Sequence, residues 1–123
     1  MAALSRFILP VILYGLTLAF GFWLSQLGKP YNGLLFNVHK LIALAAVVVT
    51  VVQLTRMPLT VSPWSLVALL VLAVIGVIAL FVSGALLSAG QLDYVRMLLI
   101  HRIGLVVLTL DLGLAAYWLR PLV

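Results

Sequence analysis

Four long apolar runs dominate the chain, separated by short stretches where glycine, proline and polar residues gather. The runs cover residues 7–27, 35–54, 64–88 and 97–119. A hydrocarbon core about 30 Å thick takes roughly 20 apolar residues of α-helix to cross, so each run is long enough for one span. Backbone amides in lipid have no water to pair with, and a helix satisfies them internally. The runs are too long, and too poor in alternation, for the strands of a membrane barrel. Gly28, Lys29, Pro30, Tyr31, Asn32 and Gly33 close the first run with turn chemistry. Thr55, Arg56, Met57 and Pro58 stop the second, and Ser62 with Pro63 supplies an N-cap and a first-turn proline ahead of Trp64. Ser88, Ala89 and Gly90 end the third run, and Arg120 with Pro121 ends the fourth. The first run exceeds the 7–15 residues usual for the apolar part of a signal peptide, and no small-x-small cleavage site follows it. It is read as a retained helix. The pattern predicts an all-α membrane protein: one four-transmembrane-helix domain over residues 1–123, an up-down-up-down bundle with short connections.

Composition strengthens this picture. Hydrophobic residues make up 67% of the chain and charged ones 7%, so a soluble globule of this size would leave much apolar surface wet. The bilayer is therefore the first expected partner. Cysteine is absent, which removes disulfides, thiolate metal sites and cysteine nucleophiles. The net charge of +5 comes from Arg6, Lys29, Lys40, Arg56, Arg96, Arg102 and Arg120 against Asp93 and Asp111. The basic residues stand singly near helix ends, where they snorkel to lipid phosphates, and they form no cluster for nucleic acid. Arg6, Arg56 and Arg120 fall on the side of the termini, and Lys29, Lys40, Arg96 and Arg102 on the other, so the positive-inside rule leaves orientation open. If Lys40 and Arg102 are committed to a ligand, the balance turns toward cytoplasmic termini, in what is expected to be a bacterial inner membrane. Tyr31, Trp64, Tyr94, Tyr117 and Trp118 read as the aromatic belt at the span ends.

The chain also reads as two halves offset by 62 residues, a two-helix internal duplication. Gly28 is followed eleven positions later by His39, and Gly90 eleven later by His101. Each histidine is followed by a basic residue, Lys40 or Arg102, then a branched apolar one, and soon a small one, Ala43 or Gly104. These are the only two histidines in the chain. In an up-down bundle the second and fourth helices run the same way, which puts both imidazoles at one depth. Diagonal helices in such a bundle lie roughly 11–14 Å apart, given neighbours packed at 8–10 Å, and two inward imidazoles then leave room for one porphyrin. Imidazole is a common axial ligand of haem iron. A closed zinc site needs two further ligands, and Asp93 is the only carboxylate near that depth. Lys40 and Arg102 are placed to pair with haem propionates, and Ala43 and Gly104 to leave space for a flat macrocycle. The bland reading stands beside this one: histidines and basic residues are ordinary at membrane interfaces, and small residues are common at helix contacts. A quinone or another metal is a further ligand class for the same positions.

The segment His39, Lys40, Leu41, Ile42, Ala43, Leu44, with Arg56 closing the helix, resembles the second helix of bacterial four-helix membrane b-type cytochromes. His101, Arg102, Ile103, Gly104 and Leu105 are similar to the histidine-containing start of their fourth helix. Together these motifs cover about forty residues of the 123. Diheme members of that family carry further histidines within their helices, and this chain has none. The resemblance therefore implies a single-haem relative, or a descendant that has lost haem.

Asp111 lies ten residues beyond His101, about 15 Å along a helix, and thus near mid-bilayer. A charge there is costly, so the carboxyl should be protonated, paired or wetted. Thr50 and Tyr14 fall at similar depth, and a neutral Asp111 hydrogen-bonded to either would act as helix glue; proton or substrate handling is the alternative. No phosphate loop, catalytic triad or paired-carboxylate site is present. The leading expectation is a small b-type cytochrome with one bis-histidine haem, exchanging single electrons with a quinone or a redox subunit. The others are a cofactor-free membrane subunit or assembly partner, and a small transporter using Asp111, with a homodimer enlarging its path. The even number of spans is directly testable: reporter fusions at residues 1 and 123 should report the same compartment, and opposite compartments would remove the shared depth of the histidines.

Overall fold

The computed structural model describes residues 2–56 and 64–119, which form four α-helices and, among the described residues, no strand. These are α1 (Ala2–Leu27), α2 (Gly33–Thr55), α3 (Trp64–Ala89) and α4 (Tyr94–Leu119). Each contains a stretch long and apolar enough to cross a bilayer. The expected spans all fall on these helices, and the differences lie at the ends. α1 starts well before residue 7, at Ala2, because nothing between Ala2 and Arg6 breaks a helix and propensity does not stop at the hydrocarbon edge. α2 starts at Gly33 because Asn32 caps it, its side-chain oxygen accepting from the amides of Leu34 (3.0 Å) and Leu35 (3.3 Å). α4 starts at Tyr94, ahead of residue 97, because Asp93 accepts from the Val95 amide at 3.1 Å. Asp93 also pairs with Arg96 at 3.3 Å on the exposed first turn. The expected N-cap at Ser62 and Pro63, the loop around it, and the stop at Arg120 and Pro121 lie outside the described residues.

The helices pack as two compact hairpins, α1 with α2 and α3 with α4. Both hairpins turn in the same way. Gly28 (φ 69°) and Gly90 (φ 68°) adopt the left-handed conformation, and their amides donate back to the carbonyls of Leu24 (3.2 Å) and Leu86 (3.3 Å). This closes the helix with an αL cap that side chains resist. An Asn or Asp cap then restarts the chain, three or four residues after the glycine. The glycines keep the spacing of 62 seen for the histidines, so the repeated unit is a whole hairpin.

Within the α3–α4 hairpin the antiparallel register is plain. Ser83 meets His101, Leu80 meets Gly104, and Gly76 meets Leu108. On α4 the seam passes through His101, Gly104, Leu108, Asp111 and Ala115, alternating steps of three and four residues. On α3 it passes through Leu66, Gly76, Leu80, Ser83 and Leu87, which fit the same heptad spacing. Val74, Ile78, Val95 and Leu110, away from this seam, are exposed apolar side chains suited to lipid. In the first hairpin Leu24 and Ala46 are buried.

The left-handed turn makes a specific demand on Gly28. Gly28→Ala should lower stability by about 1 kcal/mol, although no atom lies within 4 Å of the added Cβ. Gly33→Ala also meets no atom and sits in the first turn of α2, so it should be near neutral. Unfolding of the purified protein in mixed detergent compares the two.

Candidate functional site

Each hairpin holds its histidine in the groove between its two helices, about two turns beyond the hairpin turn. In the first hairpin, Nδ1 of His39 lies 3.0 Å from the backbone carbonyl oxygen of Thr17 on α1. A helical carbonyl at position i is ordinarily shielded by the side chain at i+4. Here that residue is Gly21, which has none, so the ring reaches the Thr17 oxygen past bare backbone. The fit is tight: a Cβ on Gly21 would stand 2.9 Å from Cε1 of His39.

The second hairpin repeats the device one bond longer. Nδ1 of His101 lies 2.8 Å from Oγ of Ser83, and Ser83 donates its hydroxyl proton to the carbonyl of Leu80 at 3.2 Å. Leu80 stands four residues before Gly84 as Thr17 stands four before Gly21. Gly84 again faces the imidazole, with 3.5 Å between its added Cβ and Cε1 of His101. His39 therefore bonds a carbonyl directly, and His101 reaches the corresponding carbonyl through a serine.

The proton assignment follows from the partners. A carbonyl oxygen only accepts, so Nδ1 of His39 carries the hydrogen. Ser83 has one hydroxyl proton for the Leu80 carbonyl and His101 Nδ1, so the direction of the Ser83–His101 bond depends on the tautomer of His101. In neutral His39, Nε2 is then the nitrogen with the lone pair. Metal-bound histidines show the same arrangement, one ring nitrogen donating to an oxygen that fixes ring and tautomer while the other ligates.

Of the other expected site residues, Lys40 is exposed, with Nζ 5.7 Å from the centre of the Phe36 ring. Arg102 is also exposed, and Ala43 is half-buried on α2. Gly104 faces α3, where Leu80 Cδ2 comes within 3.4 Å of its added Cβ. The histidine face of α4 is thus also the face that packs against Leu80. Among the described residues no group of three or more His, Cys, Asp or Glu side chains gathers to hold a metal ion.

Asp111 is buried in the second hairpin, and neither carboxyl oxygen has a hydrogen-bond partner. Thr50 and Tyr14 belong to the first hairpin. The Thr50 hydroxyl donates to the Ala46 carbonyl of its own helix at 2.7 Å. Sequence reading missed the roles of Thr17, Gly21, Ser83 and Gly84 at the histidines. Their signal is the pair Gly21 with Leu24 and Gly84 with Leu87, offset by 63, found only when the comparison of halves extends to the first and third helices.

The two glycines should respond differently to a methyl group. Gly21→Ala must push the His39 ring off the Thr17 carbonyl and should cost about 1–3 kcal/mol, the range for overpacking. Gly84→Ala meets ordinary van der Waals distance and should be neutral to mildly stabilising, since alanine favours helix. Unfolding of both variants, with ¹⁵N spectra of the imidazoles to follow the Nδ1 proton, makes the comparison.

No protein-family model, curated protein or solved structure matches the chain, and the two histidine pockets stand on their own geometry.

Proposed function

We propose that the chain is a small integral membrane b-type cytochrome that carries one haem on Nε2 of His39 and Nε2 of His101 and exchanges single electrons with a quinone or a redox subunit. The observation that carries this reading is the matched anchoring of the two imidazoles. Each has Nδ1 within hydrogen-bond distance of an oxygen on the preceding helix, the Thr17 carbonyl for His39 and the Ser83 hydroxyl for His101, which leaves Nε2 as the other ring nitrogen in both. The donor set suits the group: two neutral imidazoles are one complete axial pair, whereas a tetrahedral zinc would lack ligands. Bound haem supplies a one-electron couple at its iron. Thr17 and Ser83 hold the rings in orientation and raise the basicity of the ligating nitrogen. Lys40 and Arg102, each next to a histidine and exposed, offer charge-assisted bonds to carboxylates such as propionates. A bacterial inner membrane with cytoplasmic termini completes the proposal.

A second reading has its own support. The same hydrogen bonds tie α2 to α1 and α4 to α3, so the imidazoles also serve as glue in a cofactor-free membrane subunit. The reduced-minus-oxidised visible spectrum of detergent-purified protein, expressed with ample haem, separates the two. The cytochrome reading expects a sharp alpha band, lost in both His39→Ala and His101→Ala and only weakened in Lys40→Ala and Arg102→Ala. A folded protein without colour would leave the structural role alone.

A further inference from the structure

Asp111 has the most costly setting in the chain and no part in the haem proposal. It sits in the α3–α4 seam, one step beyond Leu108 and one before Ala115, and is 5% exposed. Neither oxygen has a hydrogen-bond partner. Continuing the register from Gly76 and Leu108 sets it against the stretch of α3 around Ala73. α3 carries no ionisable residue from Trp64 to Ala89. On α4 the titratable or charged side chains are Tyr94, Arg96, His101, Arg102 and Tyr117, each more than one turn away along the helix. No cation adjoins Asp111 among the described residues, and an unpaired ionised carboxylate in such surroundings is strongly disfavoured.

The duplicated hairpin supplies an internal control. With the histidine offset of 62, the residue of α2 corresponding to Asp111 is Val49. The matching position of the first hairpin thus carries an apolar, half-buried side chain, so the repeated sequence does not call for a carboxyl there. A structural polar group in a membrane also needs a partner, and this one has none in its hairpin.

We infer that Asp111 is a proton-binding site in the membrane interior, a carboxyl that loads and releases a proton within the α3–α4 seam. The inference does not depend on haem, and its test needs none. Full-length protein in lipid vesicles is followed by infrared difference spectroscopy as pH is raised, for wild type, Asp111→Asn and Asp93→Asn. The expected result is a protonated-carboxyl carbonyl band in wild type that bleaches with rising pH as carboxylate bands grow. It should persist in Asp93→Asn and vanish in Asp111→Asn. A band that stays constant over the pH range in which the protein remains folded would overturn the inference, leaving a static neutral acid. Absence of the band at every pH would overturn it too, since the group would then be permanently ionised.

Dicyclohexylcarbodiimide provides a second measurement that needs no variant to fold. The carboxyl adds across a C=N bond, its oxygen joining the central carbon and its proton passing to nitrogen. An oxygen-to-nitrogen acyl shift then gives a stable N-acylurea, with no leaving group. Peptide mapping of wild type should find the adduct on Asp111, and not on Asp93, which is exposed and paired with Arg96. Failure to label Asp111 would count against the inference.

Discussion

Helices in lipid gain little by hiding apolar side chains from each other, because the surrounding chains are as apolar as leucine. Association rests on close packing and on hydrogen bonds between helices. Both hairpins meet that constraint with small residues in the seam: Gly21 in the first, Gly76, Gly84 and Gly104 in the second. A glycine at such a contact does two things together. It lets the neighbouring helix approach, and it uncovers the carbonyl four residues earlier in its own helix. Where the side chain that comes to rest there is a histidine, the packing device also fixes an imidazole ring. The candidate site is in this sense a by-product of how membrane helices pack.

The two pockets differ in one respect that follows from the same geometry. In the first hairpin the imidazole is pressed so close to Gly21 that its nitrogen reaches the Thr17 carbonyl unaided. In the second the ring stands further off, and Ser83 bridges the gap to Leu80. A carbonyl can only accept, whereas a hydroxyl can accept or donate, so the partner fixes the tautomer of His39 and leaves that of His101 to the Ser83 proton. Buried Ser83 is satisfied on both sides, which contrasts with Asp111 on the facing helix. One polar group in the seam is fully bonded and structural, and the other is unbonded.

Much of the fold was legible because lipid imposes a single period and a single length. Runs of about 20 apolar residues, broken by Gly28 to Gly33 and by Ser88 to Gly90, admit little besides helices with turns between them. Helix starts were less legible, since Asn32 and Asp93 act through side-chain oxygens that cap locally whatever the hydropathy of the next residues. The histidines stood out by rarity and by their offset of 62. Gly104 shows where face-level reading stops: it shares a helix face with His101, yet whether that face meets a cofactor or Leu80 is settled by packing.

By itself, then, the sequence determined the all-helical, membrane-suited class, the four apolar helices, the glycine-bearing turns that end the first and third of them and the paired histidines, because each depends on local spacing and backbone chemistry. The tertiary structure alone decided which atoms those histidines touch. Thr17, Gly21, Ser83 and Gly84 lie 18 to 22 or 17 to 18 residues from their histidine, on the helix before it, and an apolar helix advertises little of which face its neighbour will choose. It also decided that Asp111 faces α3 without a hydrogen-bonding partner. That outcome depends on the register of two helices, which no single residue encodes.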